Sequence, residues 1–223
     1  MKGWMFNMRK KWKRMLFLLL SVILLITCMA TPASAAAKRE PTFLGYLSYW
    51  EAGSGYRIGR MFSPTVSYQN LDPNVSTYIP LGASQAVSQW YNVTRIQYAD
   101  TAYSQNGKII LYGGTTDDIQ KEVPGFFYGA NGCTVLESAY VDGEYTYLDE
   151  TKTYYVILKA NCYVVCDTRS VDEIKRTATH EVGHALGFIG HSPDSSAVMY
   201  DEPSVMTLTE IDKRHLRQIY GYY

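Results

Sequence analysis

His180-Glu181-Val182-Gly183-His184-Ala185-Leu186-Gly187-Phe188-Ile189-Gly190-His191 is the stretch on which the reading of this chain turns. It follows Ser170-Val171-Asp172-Glu173, a capping box whose two carboxylates suit the positive start of a helix. The predicted helix runs from Val171 to about Phe188. On it, His180 and His184 are i and i+4, so both imidazoles leave one face and can share one metal ion. Glu181 lies on a neighbouring edge of the same turn, within reach of a water but not among the ligands. A straight helix cannot bring His191 to the same point. Gly187 can adopt positive φ and let the chain turn sharply, which returns His191 as a third ligand. Three protein ligands leave a fourth position open, the arrangement of a catalytic rather than a structural zinc site.

Outward from this helix the chain alternates between strands and helices. Thr65 to Gln69, Ile96 to Ala99 and Lys108 to Gly113 read as strands, and Leu81 to Tyr91 reads as a helix. Tyr145 to Leu148 and Tyr154 to Leu158 read as two further strands, with Asp142-Gly143 as a turn signal. A last helix is expected after Thr209, with Asp212 as its box partner and Ile211, His215, Leu216, Ile219 and Tyr220 on one face. This order predicts an α+β domain with a mostly continuous sheet.

Residues 1–35 read as a signal peptide and 36–223 as one catalytic domain. Lys2, Arg9, Lys10, Lys11, Lys13 and Arg14 precede the uncharged run Met15 to Met29, and Ala33-Ser34-Ala35 has the form of a cleavage signal. The basic leader has a bacterial character. The run is 15 residues long, short of the roughly 20 needed to span a membrane. Export and no stable membrane association after cleavage are therefore expected. The leader holds 6 of the 21 Lys and Arg and none of the 21 Asp and Glu, so the remainder carries 15 − 21 = −6. That balance lacks the basic stripe of a nucleic-acid binder. Cys133, Cys162 and Cys166 follow the leader, either as packed thiols or with Cys162 bridged to Cys166.

The helix-and-turn stretch resembles the zinc signature of the metzincins, and its continuation is similar to the matrixin branch. His191-Ser192 with Ala197-Val198-Met199-Tyr200 resembles the matrixin Met-turn, which would place Met199 beneath the metal as packing support. Leu208-Thr209-Glu210-Ile211-Asp212 and Ile219-Tyr220-Gly221 resemble the family's final helix, and Gln89-Trp90-Tyr91-Asn92 the end of its first. The resemblance implies a zincin-like fold: a twisted, mostly parallel sheet of about five strands, an active-site helix and a C-terminal helix. It also implies an extracellular, monomeric zinc endopeptidase acting on proteins or peptides, with a zinc-bound water attacking the peptide bond and Glu181 as general base. The alternative is an inactive zinc-containing protein that binds peptides.

By position in the family, Phe126-Phe127-Tyr128-Gly129-Ala130 is the expected substrate edge. Calcium is a second candidate ion at Asp117-Asp118, Asp142 and Asp149-Glu150, with solvated turns as the plainer reading. The chain departs from the family pattern at Asp201-Glu202, which intervene between the Met-turn tyrosine and Pro203. Only His215 remains outside the motif, and it reads as a helix-face residue.

Overall fold

The computed structural model describes residues 58–99, 108–147 and 150–220; the leader and the glycine-rich segment before Ile58 lie outside them. The described residues form six strands, β1 (Ile58–Arg60), β2 (Thr65–Asn70), β3 (Gln97–Tyr98), β4 (Ile109–Gly114), β5 (Gly132–Tyr147) and β6 (Glu150–Val165). Four helices accompany them, α1 (Ile79–Thr94), α2 (Thr116–Glu122), α3 (Val171–Ala185) and α4 (Glu210–Tyr220). The strands make one sheet in the order β1-β6-β4-β2-β3, all parallel, with β5 antiparallel on β6. The α+β class and the mostly parallel sheet are as expected. The sheet has six strands rather than about five, because β5 is added along β6.

The β5–β6 pair differs most from the sequence expectation. Two short strands were predicted after a turn at Asp142-Gly143, but β5 runs straight through that dipeptide. The register instead slips between Val141 and Gly143. A glycine inside a strand weakens pairing and marks a bulge as readily as a turn, and here the ladder continues past it.

Each helix is set by local chemistry and then by burial. α1 starts two residues before its predicted onset because Pro80 is tolerated in a first turn, where its missing N–H is no loss. It stops at Arg95, which takes a left-handed conformation (φ 59°) and donates its N–H to Tyr91 O at 2.9 Å. The capping box at Ser170 forms as read: Ser170 Oγ accepts from Glu173 N at 3.2 Å, and Glu173 Oε2 accepts from Ser170 N at 2.8 Å.

The main core lies between the sheet and α1 with α3. Val66, Ile109, Leu111, Ile157, Cys162 and Val164 from the strands meet Ala83, Ala86 and Trp90 of α1 and Ile174, Ala178 and Val182 of α3. α1 and α3 approach closely at Gly82, where an added Cβ would lie 2.9 Å from the Ala178 Cβ. That packing presses the back of α3 into the core and turns its other face toward β5.

Cys133, Cys162 and Cys166 are all free thiols. Four residues of extended chain span about 13 Å, whereas a disulfide needs Cα atoms within about 7 Å, so a Cys162–Cys166 bridge does not fit on β6. No helix among the described residues is long and apolar enough to cross a membrane.

Candidate metal centre

α3 carries the first two candidate ligands and the turn after it carries the third. The helix ends at Ala185, sooner than Phe188, because Phe188 N reaches back to Gly183 O at 3.0 Å and Gly187 N to His184 O at 2.9 Å. Gly187 has φ 109°, and a Cβ there would run into the carbonyl oxygen of Gly59. Only glycine satisfies both demands. Gly190, with φ 83°, completes the reversal that brings His191 back over the helix.

The three imidazoles converge. His180, His184 and His191 each place a ligand nitrogen within 4.8 Å of the others, the one such His, Cys, Asp or Glu group of three among the described residues. His180 Nδ1 lies 2.8 Å from Val198 O, and His184 Nδ1 lies 2.6 Å from Phe188 O. A carbonyl oxygen only accepts, so both Nδ1 atoms carry the proton and both Nε2 atoms present a lone pair. Those two Nε2 atoms face each other at 3.0 Å. Two lone pairs so placed repel unless a cation lies between them. Two ligands of one tetrahedral zinc stand about 3.4 Å apart when each bond is about 2.0–2.1 Å. The donor set therefore fits zinc.

Burial keeps the ligands in the neutral form a metal requires. It lowers His180 to about 4, against the opposing pull of the Val198 carbonyl. It also holds His184 well below the usual imidazole range, helped by the neighbouring His180. His191 is more open, with its Nδ1 3.4 Å from Asp201 Oδ1. The residue that departs from the family pattern thus meets the third candidate ligand.

Glu181 projects toward β5 and is not part of the cluster. Burial raises its carboxyl to about 8, while a hydrogen bond from Thr134 pulls the other way. Thr134 Oγ1 lies 2.7 Å from Glu181 Oε2. Gly132, two residues earlier on the same face of β5, leaves room for the other oxygen: a Cβ there would be 2.9 Å from Glu181 Oε1 and 2.6 Å from Tyr163 O.

Met199 is fully buried and packs under α3. Its sulfur fills the space that a side chain at Gly183 would need, beside Trp90 Cζ2. What the sequence did not reveal is how this turn is held. Asp212, itself fully buried, accepts from Val198 N and Met199 N at 3.1 Å each and from Thr209 N at 2.9 Å. One carboxylate thus caps α4 and fixes the turn whose Val198 carbonyl orients His180. Only the local cap was legible, since bonds across 13 and 14 residues leave no spacing signal. His215 is buried against Phe188, with ring centroids 4.1 Å apart, and is no ligand.

The site opens into a cleft of about 630 Å³, lined on one side by β5 and on the other by Glu202 and Pro203. The edge strand of this cleft is β5 itself. Phe126–Ala130, expected as that edge, is instead a loop. Gly125 and Gly129 have φ 104° and 101°, which break any extended run. Phe126 turns inward, while Phe127 is 70% exposed at the cleft rim. Asp117 and Asp118 have protein partners: Tyr128 Oη donates to Asp117, and Asp118 caps α2 and pairs with Lys121. The side chains of Asp142, Asp149 and Glu150 lie outside the described residues.

A family model described as matrixin matches residues 67–221. The chain belongs to the matrixin family. Among curated matrixin-like relatives, "Metalloendoproteinase 1" of Glycine max is 27% identical over 188 residues, covering 81% of this chain and 55% of the relative. "Metalloendoproteinase 1-MMP" of Arabidopsis thaliana is 34% identical over 145 residues, covering 61% of this chain and 36% of the relative. "Matrix metalloproteinase-A" of Caenorhabditis elegans is 52% identical over 44 residues, or 19% of this chain and 8% of the relative. This matrixin chain therefore spans about half the length of the soybean relative or less in the others. A solved structure of myroilysin aligns at 16% identity with a TM-score of 0.36, over 79% of this chain and 98% of that one. The family match implies zinc for the three-histidine site.

Proposed function

We propose that this matrixin is a secreted zinc-dependent endopeptidase that hydrolyses peptide bonds in proteins or peptides, with Glu181 as general base. The observation that carries the reading is the pair of imidazoles whose Nδ1 atoms are committed to backbone carbonyls, so that two Nε2 lone pairs meet at 3.0 Å beside a third histidine. Such lone pairs are costly to bury together without a cation. Secretion rests on the composition of residues 1–35.

Zinc held by His180, His184 and His191 would acidify a water in the open fourth position and polarise the scissile carbonyl. The chain's own residues supply the rest. β5 has no partner on its outer side among the described residues, and an extended substrate can add there as a further strand. Glu181, at the edge of the cleft, takes the proton from the attacking water and returns it to the leaving amine.

The test is casein cleavage with and without a zinc chelator, run beside Glu181→Ala and His184→Ala. Glu181→Ala should hold one zinc yet lose about 10²–10⁴-fold in rate, whereas His184→Ala should lose both metal and activity. A parent protein that holds zinc and binds peptides without cutting them would support the inactive peptide-binding reading instead.

A further inference from the structure

We propose that Thr134 is a positioning residue for the reaction: it pins one oxygen of the Glu181 carboxylate and leaves the other as the proton-exchanging atom. This rests on Glu181 being the base. Thr134 Oγ1 stands 2.7 Å from Glu181 Oε2 and 2.9 Å from the main-chain oxygen of the same residue. A hydroxyl has a single hydrogen, and its bond to an ionised carboxylate is the stronger choice. Oε2 is thereby occupied. Oε1 has no hydrogen-bond partner among the described residues and lies over Gly132, beside the Thr177 methyl, in space that a side chain at 132 would take. The seat is thus made by two residues of one strand face, a threonine that holds and a glycine that clears.

The surroundings make the hold specific. Thr134 pairs in register with Cys162 of β6, and the Cys162 thiol also reaches Glu181 O at 3.5 Å. The backbone of α3 at Glu181 is therefore anchored to β6 through the Cys162 thiol, while the Thr134 hydroxyl of β5 alone reaches the carboxylate. β5 is also the strand on which an extended substrate would lie. The same element would then set the height of the substrate and the direction of the base, so their separation is fixed by one rigid ladder.

In the reaction, an O–H bond of the attacking water breaks and an Oε1–H bond forms on Glu181 as the water oxygen bonds to the carbonyl carbon. The Oε1–H bond later breaks as the C–N bond cleaves and an N–H bond forms on the leaving amine. Thr134 keeps Oε2 in place through both transfers.

The experiment compares Thr134→Val, Thr134→Ser and Glu181→Ala in the full zinc-loaded chain. Steady-state kinetics on a fluorogenic peptide are measured together with zinc stoichiometry and Tm. Val keeps the shape of Thr and removes the hydroxyl, so kcat should fall about 10–100-fold, as for other supporting groups around a metal site. KM should stay within about twofold, with one zinc bound and Tm within a few degrees, since the bond serves orientation rather than binding. Ser restores the hydroxyl and should recover kcat to within about threefold. Parental kcat in Thr134→Val, with Glu181→Ala inactive, overturns the role of Thr134. So does a Ser variant as slow as Val, or a Val effect confined to KM. If Thr134→Val does not fold, Thr134→Ala is judged by the same criteria. If Glu181→Ala is as fast as the parent, it is the general-base reading that fails.

Discussion

Asp212→Ala removes a side chain that touches neither the metal nor the cleft, yet the structure assigns it a large effect. The carboxylate is fully buried and accepts from Val198 N, Met199 N and Thr209 N, with Thr209 Oγ1 at 2.8 Å as a fourth donor. Alanine strands the two Met-turn N–H groups. Each buried, unsatisfied donor costs about 1–3 kcal/mol, so the pair costs about 2–6 kcal/mol. Loss of the cap on α4 adds about 1 kcal/mol. Against a total stability of about 5–15 kcal/mol this is a severe change. The disturbance reaches the metal through one step, because the Val198 carbonyl holds His180 Nδ1 at 2.8 Å. Zinc affinity should therefore fall about 10–100-fold. Asp212→Asn should be milder: its amide oxygen can serve Val198 and Thr209, leaving only the Met199 N–H without an acceptor. Urea unfolding of the chelator-stripped proteins and competitive zinc titration separate the two effects. If Asp212→Ala unfolds at the parental midpoint and holds zinc as tightly, the turn is held by something other than this carboxylate, and the route from Asp212 to His180 is wrong.

Gly183→Ala should lower stability by about 1–3 kcal/mol through overpacking, because the new methyl meets Met199 Sδ and Trp90 Cζ2; calorimetry should show a Tm drop of several degrees, partly recovered by adding Met199→Ala. An unchanged Tm in Gly183→Ala would mean the turn does not press on α3. His215 is held down at about 3 by burial, whereas the unfolded chain takes up its proton near 6.5. Its contribution to stability is therefore present at neutral pH and is lost as pH falls from about 6.5 toward 3, costing about 2–3 kcal/mol by pH 4.5. In metal-free protein, His215→Leu should lose less stability than the parent between pH 7 and 4.5, and equal losses in urea unfolding count against the assignment. Thiol titration of the denatured chain from residue 36 onward should count three groups, as the free cysteines require, and a count of one would restore the bridge.

The parts legible in the sequence are those whose physics is local. The i, i+4 spacing of His180 and His184 is a property of any α-helix, and the Ser170 box and the Thr209–Asp212 cap each close over three residues. Gly187 was readable because a third ligand seven residues after His184 demands a reversal that only a special backbone position allows. The Asp142-Gly143 turn failed for the converse reason. A glycine signals local permissiveness, and whether the chain turns or bulges there depends on the partner strand, which no window of sequence contains. The same holds for Phe126–Ala130, where the family position suggested an edge but two positive-φ glycines made a loop.

By itself, then, the sequence determined the three histidines that converge, the two caps and the reversal at Gly187, since each follows from helix geometry or from the torsional range of one residue. Tertiary structure decided which strand borders the cleft, what pins the Glu181 carboxylate and what holds the turn beneath the metal. Those depend on contacts between residues such as Thr134 and Glu181, 47 positions apart. At that separation the chain carries no periodicity to read, and only the packing of β5 and β6 against α3 brings the two groups within hydrogen-bond distance.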